Sequence, residues 1–293
     1  MSPRRASALG GTSTVLGRKL GGELQRLRDG AGKKQAEAAE ALSATATKVV
    51  KIERGWVPVR DPDIKALCEL YGADDPALVQ NLLGLAKTDR ERRRAHGWWD
   101  QYPELGAQIE YVTLEDAASR IRTLQVTVIP GLFQTPDYAR ALHVGAGLWE
   151  DPDEIERYVK TRITRQERLA GDRPLQVWAL VSEGALRQQV GGQDVMRSQL
   201  EHLLILTKQP NIRLQVLPYA TGAHAGMAGA FSVMSFADSG AMDVVNLDVR
   251  SSIVWLESEQ DATHHVKIFD HAARQALAQT ESRSLIRRII EEP

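Results

Sequence analysis

The sequence predicts an α+β protein, in which an all-α N-terminal domain of five short helices precedes a larger mixed α+β domain. Apolar residues recur at intervals of three and four in the first part of the chain, which is typical of amphipathic helices. Later in the chain, short alternating apolar runs indicate strands, and helical stretches lie between them without the regular alternation of a doubly wound sheet. A length of 293 residues favours two domains.

The first predicted helix has one apolar face and ends at glycines. The face comprises Leu16, Leu20, Leu24 and Leu27. Gly30 and Gly32 follow, and glycine readily takes the left-handed conformation that ends helices. Gly21 and Gly22 lie inside this helix and each weakens it by roughly 1 kcal/mol relative to alanine.

The second and third helices are predicted over 35–42 and 46–54. Thr45 is a good N-cap for the third helix, and Gly55 ends it. Val49 and Ile52 point into the core, which leaves an outer side made of Ala46, Thr47, Lys48 and Lys51. A short helix, a tight turn and a basic second helix form the arrangement that lays a helix in the major groove of DNA.

Two further helices and a connector complete the predicted N-terminal domain, residues 14–87. The fourth helix begins at Asp61-Pro62, with Asp61 as N-cap, and the fifth begins at Asp75-Pro76. Residues 88–96, TDRERRRAH, are predicted as the helical connector; they form a solvated helical face, or their four arginines touch DNA phosphate. Residues 1–13 are predicted to be a mobile tail.

Charge is distributed unevenly along the chain. Residues 1–60 contain 12 Lys/Arg and 5 Asp/Glu, whereas residues 61–293 contain 25 and 33. A basic module joined to an acidic body is typical of a nucleic-acid binder with a separate regulatory domain. The single cysteine, the lack of an apolar run of ~20 residues and the lack of a secretory signal predict a cytoplasmic, nucleoid-associated protein with no membrane partner.

The first domain resembles the lambda-repressor-like (Xre-type) helix-turn-helix family. The resemblance lies in LQRLR (24–28), Gly32, Gln35, Ala39 and the segment 45–55 that ends in KIERG. It implies that Gln35 contacts phosphate or a neighbouring base, that Ala46, Thr47 and Lys48 face base edges, and that Lys51 meets the backbone. The implied DNA-binding residues are Lys34, Gln35, Thr45, Ala46, Thr47, Lys48, Lys51 and Arg54.

Two positions depart from the family pattern, and one alternative interpretation stays open. Lys34 stands where a threonine N-cap is usual, and Val50 where a small polar residue often touches phosphate; Glu53 and Arg54 are expected mainly to fix the following turn. A helix-turn-helix shape can also be only a packing solution, although the charge asymmetry and the KIERG ending favour double-stranded DNA as partner. Such binders commonly pair two half-sites, so a homodimer is expected.

The second domain is predicted over 97–293 and opens with an aromatic patch. Trp98, Trp99 and Tyr102 either anchor a loop in a core or line a pocket or interface. Strands are predicted at 121–129, 175–181, 212–217, 231–236, 244–249 and 253–257. Helices are predicted to open at Thr135-Pro136 and Asp151-Pro152 and to cover 194–208, 261–279 and 282–290.

This domain resembles the domain of unknown function that follows an Xre-type module in many actinobacterial regulators, including WhiJ-like developmental regulators. The matching segments are GWW (97–99), IPGLFQTPDYAR (129–140), RITRQER (162–168), VGG (190–192), MRSQLEHLL (196–204), LPY (217–219), GAH (222–224) and SRSLIRRI (282–289). The resemblance implies a transcriptional regulator in an antitoxin-like pair with a small, acidic partner protein encoded by a neighbouring gene. The match is looser over DVRSSIVWLES (248–258).

No segment predicts catalysis, a metal site or a cofactor. The glycine-rich run 219–231 lacks the ending of a phosphate loop; it is a flexible connection or a ligand-gated lid in which Tyr219 and His224 would meet a partner or ligand. His264, His265 and His271 do not have the spacing of a shared metal site. The sequence therefore predicts a non-enzymatic regulator that binds a partner protein, with ligand sensing as the alternative. Operator sequence and sign of regulation stay open.

Overall fold

A computed structural model describes residues 13–102, 105, 108–147, 151–237, 243–249, 252–256 and 258–292. The predicted mobile tail, apart from Ser13, lies outside these residues. The chain divides into an N-terminal unit that ends at Thr113 and a C-terminal unit that begins at Leu114. This division is later in the chain than the boundary predicted between residues 96 and 97.

The N-terminal unit contains the five predicted helices in order. They are α1 (Val15–Gly30), α2 (Gln35–Ala41), α3 (Ala46–Glu53), α4 (Asp61–Tyr71) and α5 (Pro76–Arg94), followed by a short 3-10 helix (Trp98–Gln101) and α6 (Gln108–Ala117), which crosses the division. Residues 88–94 are the end of α5, as predicted, and α5 is the longest of the five.

Short polar side chains begin three of these five helices, α1, α3 and α5, and the sequence identified two of the three. Thr45 accepts from Lys48 N at 3.2 Å and Asp75 from Ala77 N at 3.0 Å. Thr14, which the sequence analysis did not assign, caps α1. The expectation for α4 was wrong in detail: Arg60 is its N-cap, and Asp61 is already helical.

One apolar core joins the five helices. Leu20 and Leu24 of α1, Val49 and Ile52 of α3, and Ile64 of α4 are almost completely buried in it. The inward positions predicted from periodicity in α1 and α3 are therefore confirmed. Ala38 and Ala39 of α2 are buried as well, because small side chains let α2 lie close to its neighbours.

The C-terminal unit is built on one mixed six-stranded sheet. Its strands are β1 (Arg120–Gln125), β2 (Gln176–Ser182), β3 (Ile212–Leu217), β4 (Phe231–Ser235), β5 (Val244–Val249) and β6 (Ser252–Leu256). Their spatial order is β3-β2-β1-β4-β5-β6, in which β1, β2 and β3 are parallel and β1, β4, β5 and β6 pair antiparallel. All six predicted strands are confirmed, with ends shifted by a few residues.

Helices cover this sheet, and the predicted α+β class is confirmed. They are α7 (Pro136–Ala146), α8 (Pro152–Arg165), α9 (Glu183–Arg187), α10 (Gln193–Leu206), α11 (Glu259–Gln275) and α12 (Gln279–Glu291). The parallel strands are connected through helices, as parallel pairing requires. Phe269 and Ala272 of α11 pack on Leu124, Leu180 and Val233 of the sheet. Within the described ranges, no helix is long and apolar enough to span a membrane.

Candidate nucleic-acid interface

The turn between α2 and α3 sets the angle at which α3 leaves the core. Ser43 in this turn has φ of 47°, and among the residues that the structure describes it is the only one other than glycine in the left-handed region. Thr45 then takes an extended conformation and its hydroxyl caps α3. The pair α2 and α3 therefore has the geometry of a helix-turn-helix, with α3 in the position of the recognition helix.

A buried ion pair fixes α3 against α1 and α2. Arg28 Nε donates to Glu53 Oε1 at 2.6 Å, and the two side chains are 9% and 5% exposed. Gln35 Nε2 donates to Glu53 Oε2 at 2.7 Å, and Arg28 Nη1 donates to the carbonyl of Lys33 at 3.0 Å. The hydrogen bond with Glu53 raises the pKa of the Arg28 guanidinium. Glu53 thus joins three helices, a larger role than fixing the following turn.

Gln35 is consequently half-buried and engaged by Glu53, although its position at the start of α2 is as predicted. Lys34, the residue before it, is exposed, and its side chain forms no capping hydrogen bond, in keeping with the departure noted from the sequence. The backbone N–H of Lys34 instead donates to Glu37 Oε2 at 2.9 Å. Glu37 thus completes the start of α2.

The outer side of α3 is exposed to solvent. Thr45, Ala46, Thr47, Lys51 and Arg54 are all exposed. In the described part of the chain Lys51 forms no ion pair. We refer to these five exposed residues of α3 and its two caps as the α3 surface.

Lys48 differs from the other basic residues predicted to contact DNA, because within the described ranges it forms an ion pair and Lys34, Lys51 and Arg54 do not. Its Nζ lies 3.2 Å from Oδ2 of Asp63, a buried carboxylate that also accepts from Arg60 Nη2 at 2.8 Å. Burial alone raises the pKa of the Asp63 carboxyl, but the hydrogen bonds from Arg60 and Lys48 outweigh it and the pKa lies below its usual range. Lys48 therefore ties α3 to α4 and is half-buried.

Two glycines let α1 lie against the end of α3. A Cβ on Gly21 would lie 2.4 Å from the carbonyl oxygens of Ile52 and Glu53, and a Cβ on Gly55 would lie 2.2 Å from Arg18 N. Gly55 also has φ of 68°, a conformation that glycine adopts without strain. The sequence showed Gly21 only as a weak point of α1, since its contact with α3 is not encoded locally.

The arginine run of the connector is used inside the N-terminal unit. Arg93 is buried, donates to Asp89 Oδ2 at 2.8 Å and to the carbonyl of Gly55 at 2.6 Å, and also bonds Thr14 Oγ1 at 2.7 Å. Arg90 donates to the carbonyl of Val59. Arg93 therefore holds α1, α5 and the end of α3 together. The sequence predicted a solvated helical face or phosphate contacts for this run, and neither includes this role.

The aromatic patch is a small core of its own within the N-terminal unit. Trp98 makes edge contacts with Trp99 and Tyr102, with ring centroids 6.0 and 5.8 Å apart. Trp99 and Tyr102 are buried with Leu105 and Val112, and Trp98 and Ile109 pack against them partly buried. Of the two alternatives predicted from the sequence, the patch therefore anchors a loop in a core. Pro103, the residue that follows Tyr102, lies outside the described residues.

Glu110 connects this segment to the start of α1. Its Oε1 accepts from Val15 N at 2.5 Å, and its other oxygen lies 3.8 Å from Arg18 Nη2. Burial raises the pKa of the Glu110 carboxyl. These contacts explain why residues 97–113 fold with the helices that precede them.

The glycine-rich run of the C-terminal unit places Tyr219 and His224 in different settings. Tyr219 is 64% exposed, and its backbone N–H donates to Glu183 Oε2 at 2.8 Å. His224 Nδ1 accepts from Gly226 N at 3.2 Å, so this ring nitrogen stabilises its own loop. Gly226 lies directly against Leu124, where a Cβ would be 2.5 Å from a methyl group. The loop therefore packs on β1.

The histidines of α11 do not form a metal site. His265 Nδ1 lies 2.8 Å from the carbonyl of Asp261, and its ring packs on Phe231. Across the described segments, no group of three or more His, Cys, Asp or Glu side chains is placed to hold a metal ion.

Comparison with known families agrees with this architecture. Residues 19–82, which contain α2 and α3, match the family described as a helix-turn-helix domain. The N-terminal unit is thus a helix-turn-helix module, and the match supports a DNA-binding regulator. Residues 108–288, more than half of the chain, match the family described as a domain of unknown function (DUF5753), and the chain belongs to that family. Comparisons with curated proteins and with solved structures found no match.

Proposed function

We propose that this protein is a sequence-specific, double-stranded-DNA-binding transcriptional regulator that reads its site with the α3 surface. The observation that carries the proposal is the contrast between the two sides of α3. One side is fixed by the buried Arg28–Glu53 pair, and the other presents exposed Thr47, Lys51 and Arg54. A rigid helix with an exposed basic side is what docking in a major groove requires.

The contacts on this surface divide into two kinds. Lys51 and Arg54 supply charge for backbone phosphates, and Lys34 adds to it from the start of α2. Ala46 and Thr47 offer methyl and hydroxyl groups to base edges, which suits thymine but discriminates weakly. Lys48 contributes chiefly by fixing α4, and Gln35 by holding Glu53.

Weak base discrimination by one module supports a homodimer that binds two half-sites about one helical turn apart. Through the C-terminal domain the protein binds a small acidic protein encoded by a neighbouring gene, in an Xre-family, antitoxin-like pair of actinobacterial, WhiJ-like type that controls development or secondary metabolism. This part of the proposal rests on the sequence resemblance. Co-purification of that protein from the native host supports it, and its absence from material that still binds DNA contradicts it.

The second candidate is a ligand-sensing regulator with a small-molecule pocket in the C-terminal unit. The observation that supports ligand sensing is a cavity of about 260 Å³ beside the parallel strands, lined by arginines and a tryptophan. Trp99 and Tyr102 are poor candidates for such a pocket, because both are buried in the patch that anchors residues 97–113. Tyr219 stays a candidate contact on grounds of exposure.

Selection from a random duplex pool tests sequence-specific reading by α3. The full-length protein is expected to enrich one short site, and Thr47→Asn is expected to shift the preference at one position towards adenine, because asparagine pairs with two atoms of that base. Thr263→Asn, an exposed threonine on α11, is the matched control and keeps the wild-type site. An unenriched pool, or identical base frequencies for Thr47→Asn, contradicts the proposal.

A further inference from the structure

Three neighbouring strands of the C-terminal sheet place two arginines on either side of a tryptophan. Arg122 on β1 is paired in register with Trp178 on β2, and Trp178 with Arg213 on β3. Residues opposite each other in adjacent strands point to the same face, so the three side chains form one row across the sheet. Arg120 lies two residues before Arg122 and therefore on the same face. We call these four residues the arginine row.

The arginine row lines a cavity of about 260 Å³. Gln176, Val177, Pro210 and Asn211 complete its wall. Both amide contacts of Asn211 are internal, to the carbonyls of Leu169 and Leu175, so that part of the wall is held in place. The cavity is an open depression, smaller than the roughly 300 to 1,000 Å³ of sites for drug-sized ligands, so it suits only a small group. Its polar side chains come from three strands.

Within the described ranges, the positive charge of this cavity is not neutralised by an acidic side chain. None of Arg120, Arg122 and Arg213 forms an ion pair within the part of the chain that the structure describes. The Nε of Arg122 is buried without any hydrogen-bond partner. Buried donors are almost always paired, so an unpaired guanidinium nitrogen at a cavity wall calls for an acceptor that the described residues do not supply.

Trp178 is held rigidly at the centre of the row. Its Nε1 donates to Gln215 Oε1 at 2.9 Å, and Gln215 Nε2 donates to the carbonyl of Leu277 at 2.9 Å. The edge of Phe269 meets its ring at a centroid distance of 5.1 Å. Arg213 lies over the ring, with Cζ 3.8 Å from the centroid, a contact that positions the guanidinium while its N–H donors keep their hydrogen-bonding capacity.

We infer that the arginine row binds a compact oxyanion, the phosphate or carboxylate group of a small molecule. Arginine forks match both groups with paired, charge-assisted hydrogen bonds, and Arg122 supplies the buried unpaired donor. Such a ligand would serve the ligand-sensing function given above as the second candidate. Its binding is measured without DNA, so a failure of DNA recognition leaves this result unaffected.

Isothermal titration calorimetry of the full-length protein with inorganic phosphate, phenyl phosphate and benzoate tests the inference. We expect saturable 1:1 binding of at least one probe and at least a tenfold loss of affinity in Arg122→Gln. Arg122→Lys keeps the charge but not the forked guanidinium, so its affinity is expected to lie between those of the wild type and Arg122→Gln. Arg173→Gln is the matched control, because Arg173 is exposed in the loop before β2 and does not line the cavity.

Three results overturn the inference. The first is no binding of any probe at millimolar concentration. The second is wild-type affinity in Arg122→Gln and also in Arg213→Gln, which serves as second variant if Arg122→Gln fails to fold. The third concerns a ten-residue polyglutamate peptide. If this peptide binds at least tenfold more tightly than every compact probe and loses affinity in Arg122→Gln, the arginine row is a protein-docking surface.

Discussion

Replacing Gly21 by alanine is expected to destabilise the N-terminal unit, although alanine is the better helix former. The new Cβ would lie 2.4 Å from two backbone oxygens at the end of α3, and a real Cβ essentially never approaches another atom within 3.0 Å. The two helices must therefore separate by about 0.6 Å, and backbone oxygens cannot rotate away as a side chain would. Overpacking costs roughly 1 to 3 kcal/mol and the alanine gains about 1 kcal/mol. We expect a net loss of about 1 kcal/mol.

Gly22→Ala is the matched control in the same helix. No atom lies within 4 Å of its added Cβ, so it should gain about 1 kcal/mol from helix propensity alone. Native-state hydrogen exchange of the α1 and α3 amides in the full-length protein reports the free energy of opening for both variants. A difference of about 2 kcal/mol between the two variants is expected, because both gain helix propensity and only Gly21→Ala incurs the overpacking cost. Equal stability of the two variants would refute the close approach of α1 to α3.

Three further variants are expected to change stability in stated directions. Ser43→Gly should raise the unfolding free energy by about 0.5 to 1 kcal/mol, because glycine adopts a φ of 47° without the cost that serine incurs. Glu53→Gln should lower it by roughly 3 kcal/mol, since it leaves the buried Arg28 guanidinium with only the exposed Asp29 as a charged partner. His143 has a pKa lowered to about 4, first by burial and then by the charge of Arg162, so its neutral form stabilises the fold above pH 6.5 and that stability is lost as the pH falls towards 4. Between pH 7 and pH 5, urea unfolding of the wild type should lose between about 1 and 2 kcal/mol more than that of His143→Asn.

Each of these variants has its own control or contrary result. Ser43→Ala should give no gain, and an equal gain would mean that the hydroxyl rather than the backbone is responsible. Glu40→Gln, an exposed glutamate on α2, should be neutral; if it costs as much as Glu53→Gln, burial of the ion pair is not the cause. For His143, parallel pH profiles of the wild type and the variant would show that this ring does not titrate in that range.

The sequence predicted the elements well because their signals are local. Helix periodicity, caps such as Thr45 and alternating apolar strands depend on near neighbours in the chain, and β3 and β5 have the predicted bounds. Helix periodicity and caps also predicted where α2 and α3 lie in the chain. The order of the strands in the sheet did not, because it depends on pairing between distant segments.

The candidate site was predictable only where exposure follows from helix periodicity. The outward positions of Thr47 and Lys51 follow directly from the inward positions of Val49 and Ile52. The pairing of Lys48 with Asp63 was not predictable in the same way, because these residues lie on different helices. The arginine row was missed for the same reason, since its members lie on three strands and become neighbours only in the sheet.

The salt dependence of DNA binding tests the central proposal most directly. Affinity of the full-length protein for DNA from its own promoter would be measured at a series of salt concentrations for the wild type, Lys51→Ala and Lys65→Ala. Lys65 is exposed on α4, about half a turn from Asp63, and provides the same loss of charge away from the α3 surface.

The proposal predicts that Lys51→Ala weakens binding and reduces the slope of log K against log salt by about 0.9 for each bound α3, the release expected for one phosphate contact. Lys65→Ala should retain the wild-type slope. An unchanged affinity and slope for Lys51→Ala would contradict the assignment of α3 as the helix that binds DNA.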